Sequence, residues 1–538
     1  MNSFKNVSFT KKNYYDELIP YFYKGLPSDI AYSIKFDNDV ESMSDDFREQ
    51  YDEIYQYGAR NIINNNILFF YYTPYIKIKI IMTKIAYIGA GSLQFGPIIV
   101  QDILMSNILS KNGLEIHLMD IERMHLDHVL SHGEYVNEKL GRNAKIIATT
   151  NRDEAIKNAD FVICALEKDR NVFWSQDFHI PRKYGFKQVY GENGGVGSLF
   201  HALRNIKVIM ELAKKMEELC PDALLLNFSN PEHKICEAVT RLTTIKAIGL
   251  CHGVFMGREQ LSELLEVPLS DLQTKACGMN HFTWFQEIIQ KSTGEDLYPK
   301  LKEIEQKGDW LAKWHELALG RILFRRFGLW PSPASNHYGE YLRWAEEFVI
   351  PQLQFFYDPY EGHPWENNQI PEGVYTLDKV NYEREWNKDW SKKLLPVGST
   401  EDIQLENEDG TFKNSGEIAT LIMESVVNDK KQWLEAVNVP NKGAIPNLPD
   451  NLVVEVPAYS DASGIKPVQM KPIPEGIAAT IRLHASIHLL LVEAYKEQSK
   501  DKLLQAILIE PTVNSYRNAV DMCNEMLILQ KDVLPILK

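Results

Sequence analysis

Cysteine is scarce in this chain: Cys164, Cys220, Cys236, Cys251, Cys277 and Cys523 are scattered along 538 positions. No CxxC or HExxH spacing occurs, so there is neither a disulfide framework nor a ready-made zinc site, and free thiols in a reducing compartment are expected. Basic charge is also short. Fifty-eight Lys and Arg face 73 Asp and Glu, a formal net charge of −15, which argues against a nucleic-acid partner. Long hydrophobic runs are missing too. The nearest, "NILFFYYTPYIKIKIIM" (Asn66–Met82), is broken by two lysines and a proline and is too short to span a bilayer. No basic stretch followed by an apolar run opens the sequence, so a cytoplasmic protein without a membrane partner is expected. Neither a repeat nor a low-complexity linker is seen. What remains, 44% hydrophobic and 24% charged, suits an ordinary globular chain with room for two cores.

Residues 1–81 are rich in Tyr, Asn, Ile and Lys and have no amphipathic period; they are expected to be an appendage or translated leader outside the fold. From "MTKIAYIGAGS" (Met82–Ser92) onward, near-continuous apolar segments alternate with helical ones. "KIAYIGA", "LEIHLMD", "AKIIATT", "ADFVICAL", "ALLLNFS" and "IKAIGLC" read as buried strands, with a first helix from Gly96 to Leu109. The pattern predicts an α/β fold: a Rossmann-like, doubly wound parallel sheet over 82–277. Residues 278–538 follow a different rhythm and are expected to form a C-terminal mixed α+β substrate-binding and oligomerisation domain.

"GAGSLQFG" (Gly89–Gly96) sits after the first strand and opens a helix, where a dinucleotide pyrophosphate would meet free N–H groups and a positive helix end. Gly89 allows the tight turn and Gly91 a close backbone approach, with Ser92 beside them. The third glycine comes late, at Gly96, so the strict GxGxxG is broken. Asp120 ends the second strand, where a carboxylate accepts from ribose hydroxyls and disfavours a 2′-phosphate, which predicts NAD.

Three polar stretches, "NFSNPEH", "GLCHG" and "GMNHFTWF", follow at strand ends and can converge on the ligand crevice. Cys251 and His281 read as half of a metal site whose open positions a substrate would complete. They also read as a buried apolar thiol and a hydrogen-bonded core histidine, and spacing alone favours that reading over metal.

Together, "GAGS", "GENGGVGSLFHALRN", "NFSNPEH", "GLCHG", "GMNHFTW" and "VNVPNKGAIPNLP" resemble, in order and spacing from Met82 nearly to the C-terminus, glycoside hydrolase family 4. These are NAD- and divalent-metal-dependent glycosidases, exceptions to the two-carboxylate scheme. The resemblance implies oxidation at sugar C3 by hydride transfer to NAD, removal of the acidified C2 proton, elimination across C1–O, water addition, and reduction at C3. It implies that Cys251 and His281 hold Mn2+ or a similar ion, that Asn230 binds the sugar and that His252 is the general acid. Asn193, in "GENGG", would contact the nicotinamide ribose; that loop departs from the commoner form at Val196 and Ser198. For the C2 base, the matching segment "GLWPSPASNHYGEYLRWA" has Ser335 where some branches have Asp, leaving Tyr338 as the candidate, with His337 and Glu340 as substrate residues. Arg204 is expected to be a salt-bridged helix residue.

The expected substrate is a small glycoside, an α-galactoside or α-glucoside, met by a homodimer or homotetramer. An α-galacturonidase or sulfoquinovosidase would need a basic pocket, for which Arg325, Arg326, Arg343 and Lys442 are candidates. A lactate/malate-type dehydrogenase is the alternative from another class.

Overall fold

The structure, a computed structural model, describes residues 82–92, 95–111, 113–307, 317–348 and 405–538. The expected appendage and most of the Asn66–Met82 run lie outside these residues. One twelve-stranded sheet organises the rest, in the order β3-β2-β1-β4-β5-β6-β10-β11-β7-β8-β9, with β12 on β11.

The first six strands are β1 (Thr83–Ile88), β2 (Leu114–Met119), β3 (Lys145–Thr149), β4 (Phe161–Cys164), β5 (Leu224–Asn227) and β6 (Lys246–Gly249). All pair in parallel. The order 3-2-1-4-5-6 is that of a doubly wound dinucleotide-binding sheet, with its switch point between β1 and β4. All but the edge strand β3 are largely buried on both faces, and the period of two sorts their side chains. Ile85 and Tyr87 enter one core with Ile116, Leu118, Phe161 and Ile163; Ala86 and Ile88 enter the other with Val162, Cys164 and Leu225. Helices α1 (Gly96–Met105) and α2 (Arg123–Lys139) cover the first face; α3 (Gly197–Leu219) and α4 (Glu232–Leu242) cover the second.

The expected helix from Gly96 to Leu109 is two helices. Backbone geometry turns extended at Ser106, whose hydroxyl accepts from Leu109 N (3.0 Å) and donates to Glu424 (2.5 Å), and a short helix restarts at Asn107.

The second half extends the same sheet. Strands β10 (Gln432–Pro440) and β11 (Val453–Asp461) run antiparallel between β6 and β7 (Leu272–Met279). Residues 277 and 278, where the sequence changes rhythm, both lie inside β7. Strand β8 (Phe282–Gln290) returns from β7 through a two-residue turn, Asn280–His281, and β9 (Trp330–Ser332) and β12 (Gly464–Pro467) complete the sheet. Helix α5 (Gly253–Leu265) follows β6, and α6 (Ala318–Phe327) precedes β9.

Helix α7 (Glu475–Glu497) is the one helix among the described residues long and apolar enough to cross a membrane, and over half of that apolar window is buried in the fold. Its Ile477, Ala478 and Ile481 pack in the first core, and its Ile487, Leu491 and Val492 in the second. It is a core helix.

Candidate active site

The turn after β1 is shaped by what a side chain would strike. Gly89 has φ +81°, and a Cβ there would collide with the Ala165 carbonyl. A Cβ on Gly91 would lie 2.8 Å from the Asp120 carboxylate, and one on Gly96 would meet the Ala90 carbonyl. At Gly89 and Gly96, where backbone carbonyls stand in the way, the turn closes only with glycine. Asp120 accepts from Gly91 N (2.9 Å) through one oxygen and from Glu122 N (2.9 Å) through the other, while Ser92 Oγ accepts from Phe95 N (3.2 Å). The carboxylate thus braces the turn and is part-exposed, with lone pairs remaining for a ligand.

A second glycine loop, Gly191–Ser198, lies under Glu340. That buried carboxylate accepts from Glu192 N (2.8 Å) and Asn193 N (3.1 Å), and a Cβ on Gly194 would press on its backbone. Burial, then Glu192, raises the Glu340 pKa. Beneath the loop, Lys234 donates from a buried Nζ to the Asn193 carbonyl and to Ser198 Oγ (3.1 Å); burial lowers its pKa. The Asn193 amide itself is fully buried, with neither its nitrogen nor its oxygen hydrogen-bonded.

Cys251, half-buried after β6, accepts from Gly253 N (3.4 Å) and from the Asn280 side chain. Asn280 belongs to the β7–β8 turn, so the two strand ends, separated in the sheet by β10 and β11, do meet. Burial first, then the Glu455 carboxylate, pushes the Cys251 thiol above its ordinary range. His281, the next residue, is held at φ +63°, an uncommon conformation for histidine that costs about 1 kcal/mol. Its Nδ1 is buried without a hydrogen-bond partner, and its ring stands 4.5 Å from that of His337. Burial, then His337 and Lys234, pushes its pKa well down, so the imidazole is neutral. A neutral imidazole with an unpartnered nitrogen, next in the chain to the Asn280 that reaches the Cys251 thiol, has the chemistry of a divalent-ion donor. Among the described residues no group of three or more His, Cys, Asp or Glu side chains is arranged to hold a metal.

The other expected residues each have neighbours of their own. His252 caps α5, stacks on Phe255 (5.3 Å) and faces Glu417, whose Oε1 is 3.7 Å from its Nδ1. Burial, then Asp102, lifts Glu417 to about 7. Asn230 Nδ2 is 3.5 Å from Glu192 Oε1, which Arg170 also engages (2.7 Å). Tyr338 is buried with its hydroxyl 3.1 Å from Ser335 Oγ and packed against Gly320 of α6. Arg204 does form the expected ion pair, bidentate to Asp177 (2.7 and 3.0 Å) and buried with it. Of the candidate basic-pocket residues, Arg325 pairs with Glu305 (2.6 Å), and Arg326, Arg343 and Lys442 are exposed.

Sequence reasoning missed a buried polar knot behind Cys251. Glu455, on β11, accepts from Asn280 (3.3 Å), Asn438 (3.3 Å) and Thr283. Glu232 lies in "NFSNPEH" with its carboxylate buried and hydrogen-bonded to the Cys236 thiol, filling the space of a side chain that Gly249 lacks. Burial raises the pKa of both acids.

Two family models match the chain: Family 4 glycosyl hydrolase over residues 84–267 and the Family 4 glycosyl hydrolase C-terminal domain over 276–513. The chain is 31% identical to an alpha-galactosidase of Bacillus subtilis (strain 168), over 84% of this chain and 99% of that protein. It is 30% identical to an alpha-glucosidase of Erwinia rhapontici, over 85% of this chain and all of that one. A 6-phospho-alpha-glucosidase from gut microorganisms, solved in complex with NAD and Mn2+, shares the fold with a TM-score of 0.64 at 22% identity, over 85% of this chain and 100% of that one. The chain belongs to family 4 of the glycosyl hydrolases and is a glycosidase of that family.

Proposed function

We propose that this glycosidase depends on NAD and a divalent metal and acts on α-galactosides or α-glucosides that carry no phosphate. The observation that supports it most is the neutral, unpartnered His281 Nδ1 in a turn whose neighbouring side chain reaches the Cys251 thiol. Bound NAD would take a hydride from sugar C3 and return it, while an ion such as Mn2+ would act as a Lewis acid at O2 and O3. Cys251 and His281 would hold the ion; Gly89, Gly91, Ser92, Asp120 and Asn193 would hold NAD, within residues 82–277. Asn230, His337 and Glu340 would orient the sugar, the latter two from the 278–538 half. His252, part-exposed where Cys251 leaves β6, would protonate the departing oxygen. Tyr338 is the candidate for the C2 proton, its hydroxyl sharing a hydrogen bond with Ser335.

A neutral sugar is favoured over a uronide or sulfonate because Arg325 is already paired and the other three candidate bases are exposed. We place the enzyme in the cytoplasm as a homodimer or homotetramer. The test is a panel of nitrophenyl α-galactoside, α-glucoside, α-galacturonide and their 6-phosphates, run with NAD and Mn2+ and with chelator. Hydrolysis of a neutral α-glycoside, abolished by chelator and without net NADH at 340 nm, is expected. Accumulating NADH would favour a dehydrogenase, and hydrolysis of 6-phosphates alone would overturn the substrate assignment.

A further inference from the structure

A strap of chain between Leu405 and Ile418 is tied down on helix α1. Gln101 Nε2 donates to the carbonyls of Leu405 (3.0 Å) and Lys413 (2.6 Å), and the Asp102 carboxylate accepts from Ser415 N (3.1 Å) and from its hydroxyl. The strap then folds tightly on itself. Asn414 Oδ1 accepts from Gly416 N (2.8 Å), Ser415 Oγ accepts from Glu417 N (2.9 Å), and Gly416 takes φ +79°. That turn lays Gly416 along the edge of the His252 ring, so that a Cβ there would stand 3.6 Å from Cε1, and it points Glu417 Oε1 at Nδ1, 3.7 Å away. The Phe255 ring stacks on the same imidazole at an interplanar angle of 30°.

We propose that Glu417 is a positioning residue for His252, fixing the ring through Nδ1 so that Nε2 is presented to the departing aglycone oxygen. The inference rests on His252 being the acid. A carboxylate facing one imidazole nitrogen orients the ring and so sets where the other nitrogen points. In the elimination, the electron pair left at C2 forms the C1–C2 double bond, the C1–O pair leaves with the aglycone oxygen, and that oxygen takes the Nε2 proton, leaving His252 neutral. Glu417 never touches the sugar. Asp102 and Gln101 act one step further back, by holding the strap on the helix that begins at the dinucleotide turn.

Leaving-group dependence separates this from a merely structural contact. With the full chain, NAD and Mn2+, kcat/KM is measured for the nitrophenyl and the methyl glycoside of one sugar, a good and a poor leaving group. Glu417→Gln is expected to lower both and to raise the nitrophenyl-to-methyl ratio by about tenfold or more, because acid assistance matters most for the poor leaving group. His252→Gln should raise the ratio similarly, and the double variant should go no further. Glu417→Asp serves as the second variant, with melting temperature and NAD binding reporting its fold, and should raise the ratio by less than Glu417→Gln. An unchanged ratio, or effects of the two variants that multiply, would overturn the proposal while leaving the glycosidase assignment standing. A wild-type enzyme that hydrolyses neither glycoside would overturn both.

Discussion

At the end of β1, the structure is set by the main chain: Gly89 at φ +81°, Gly91 N tied to the Asp120 carboxylate, and the first turn of α1 behind them. At the β7–β8 hairpin, the groups offered are side chains. Asn280 joins the Cys251 thiol to a buried knot of Asn438, Thr283 and Glu455, and His281 follows it in the turn. The first end is made by what residues lack, the second by what they carry. Backbone geometry is broken only by adding atoms and costs stability; side-chain chemistry is broken by exchanging atoms and should leave the fold standing.

The hairpin end gives the largest expected effect. Cys251→Ser, or His281→Asn, which tolerates the positive φ, should lower kcat/KM by about a thousandfold through loss of the bound cation's several kcal/mol. Melting temperature should hold within a few degrees, and chelator should have no further effect on the residual rate. If either variant unfolds instead, the contrast between the two ends fails.

The glycine turn should behave in the opposite way. Gly89→Ala must strain a left-handed residue and push on the Ala165 carbonyl, so a stability loss of about 2–3 kcal/mol by urea denaturation is expected, with NAD binding lost alongside. Full stability with intact NAD affinity would show that the turn has room to move. Asp120→Ala should be milder. Removing a charged acceptor is worth about 1.5 kcal/mol, roughly tenfold in NAD affinity by fluorescence titration, with discrimination against NADP reduced.

The smallest effect concerns pH. Burial holds the Glu455 pKa above its ordinary 4.5. The folded chain therefore binds that proton more tightly than the unfolded chain, and the stability this adds is complete below about 4.5 and lost as pH rises through the folded value. Relative to Glu455→Gln, which cannot titrate, wild-type stability should decline over that rise. Parallel urea midpoints across pH would show it, and a rising wild-type advantage would reverse the assignment.

The same division explains what could be read from the residues alone. The parallel strands stood out because burial on both faces makes all but the edge strand β3 continuous apolar runs, and the glycine turn stood out because the strand before it and the helix after it are local. The hairpin was not legible as one. "GMNHFTWF" reads as a loop at a strand end, whereas it holds the last two residues of β7, both turn residues and the first four of β8. Glu455 was invisible because a lone acid in a strand ordinarily faces water; only its place between β10 and β7 shows three partners around it. Glu417 gave no signal of any kind, since nothing in "NSGEIAT" marks it apart from a surface turn. Asn438 and Glu232 lay inside stretches that carried the family resemblance, but pattern matching attaches no physical task to them.

Helix α7 places Ile477 and Ile481 in one hydrophobic core and Leu491 and Val492 in the other, and it packs on α3 and α4. Both cores consequently wait on a segment that leaves the ribosome long after the strands they contain, so apolar β-structure stays uncovered for that interval of synthesis.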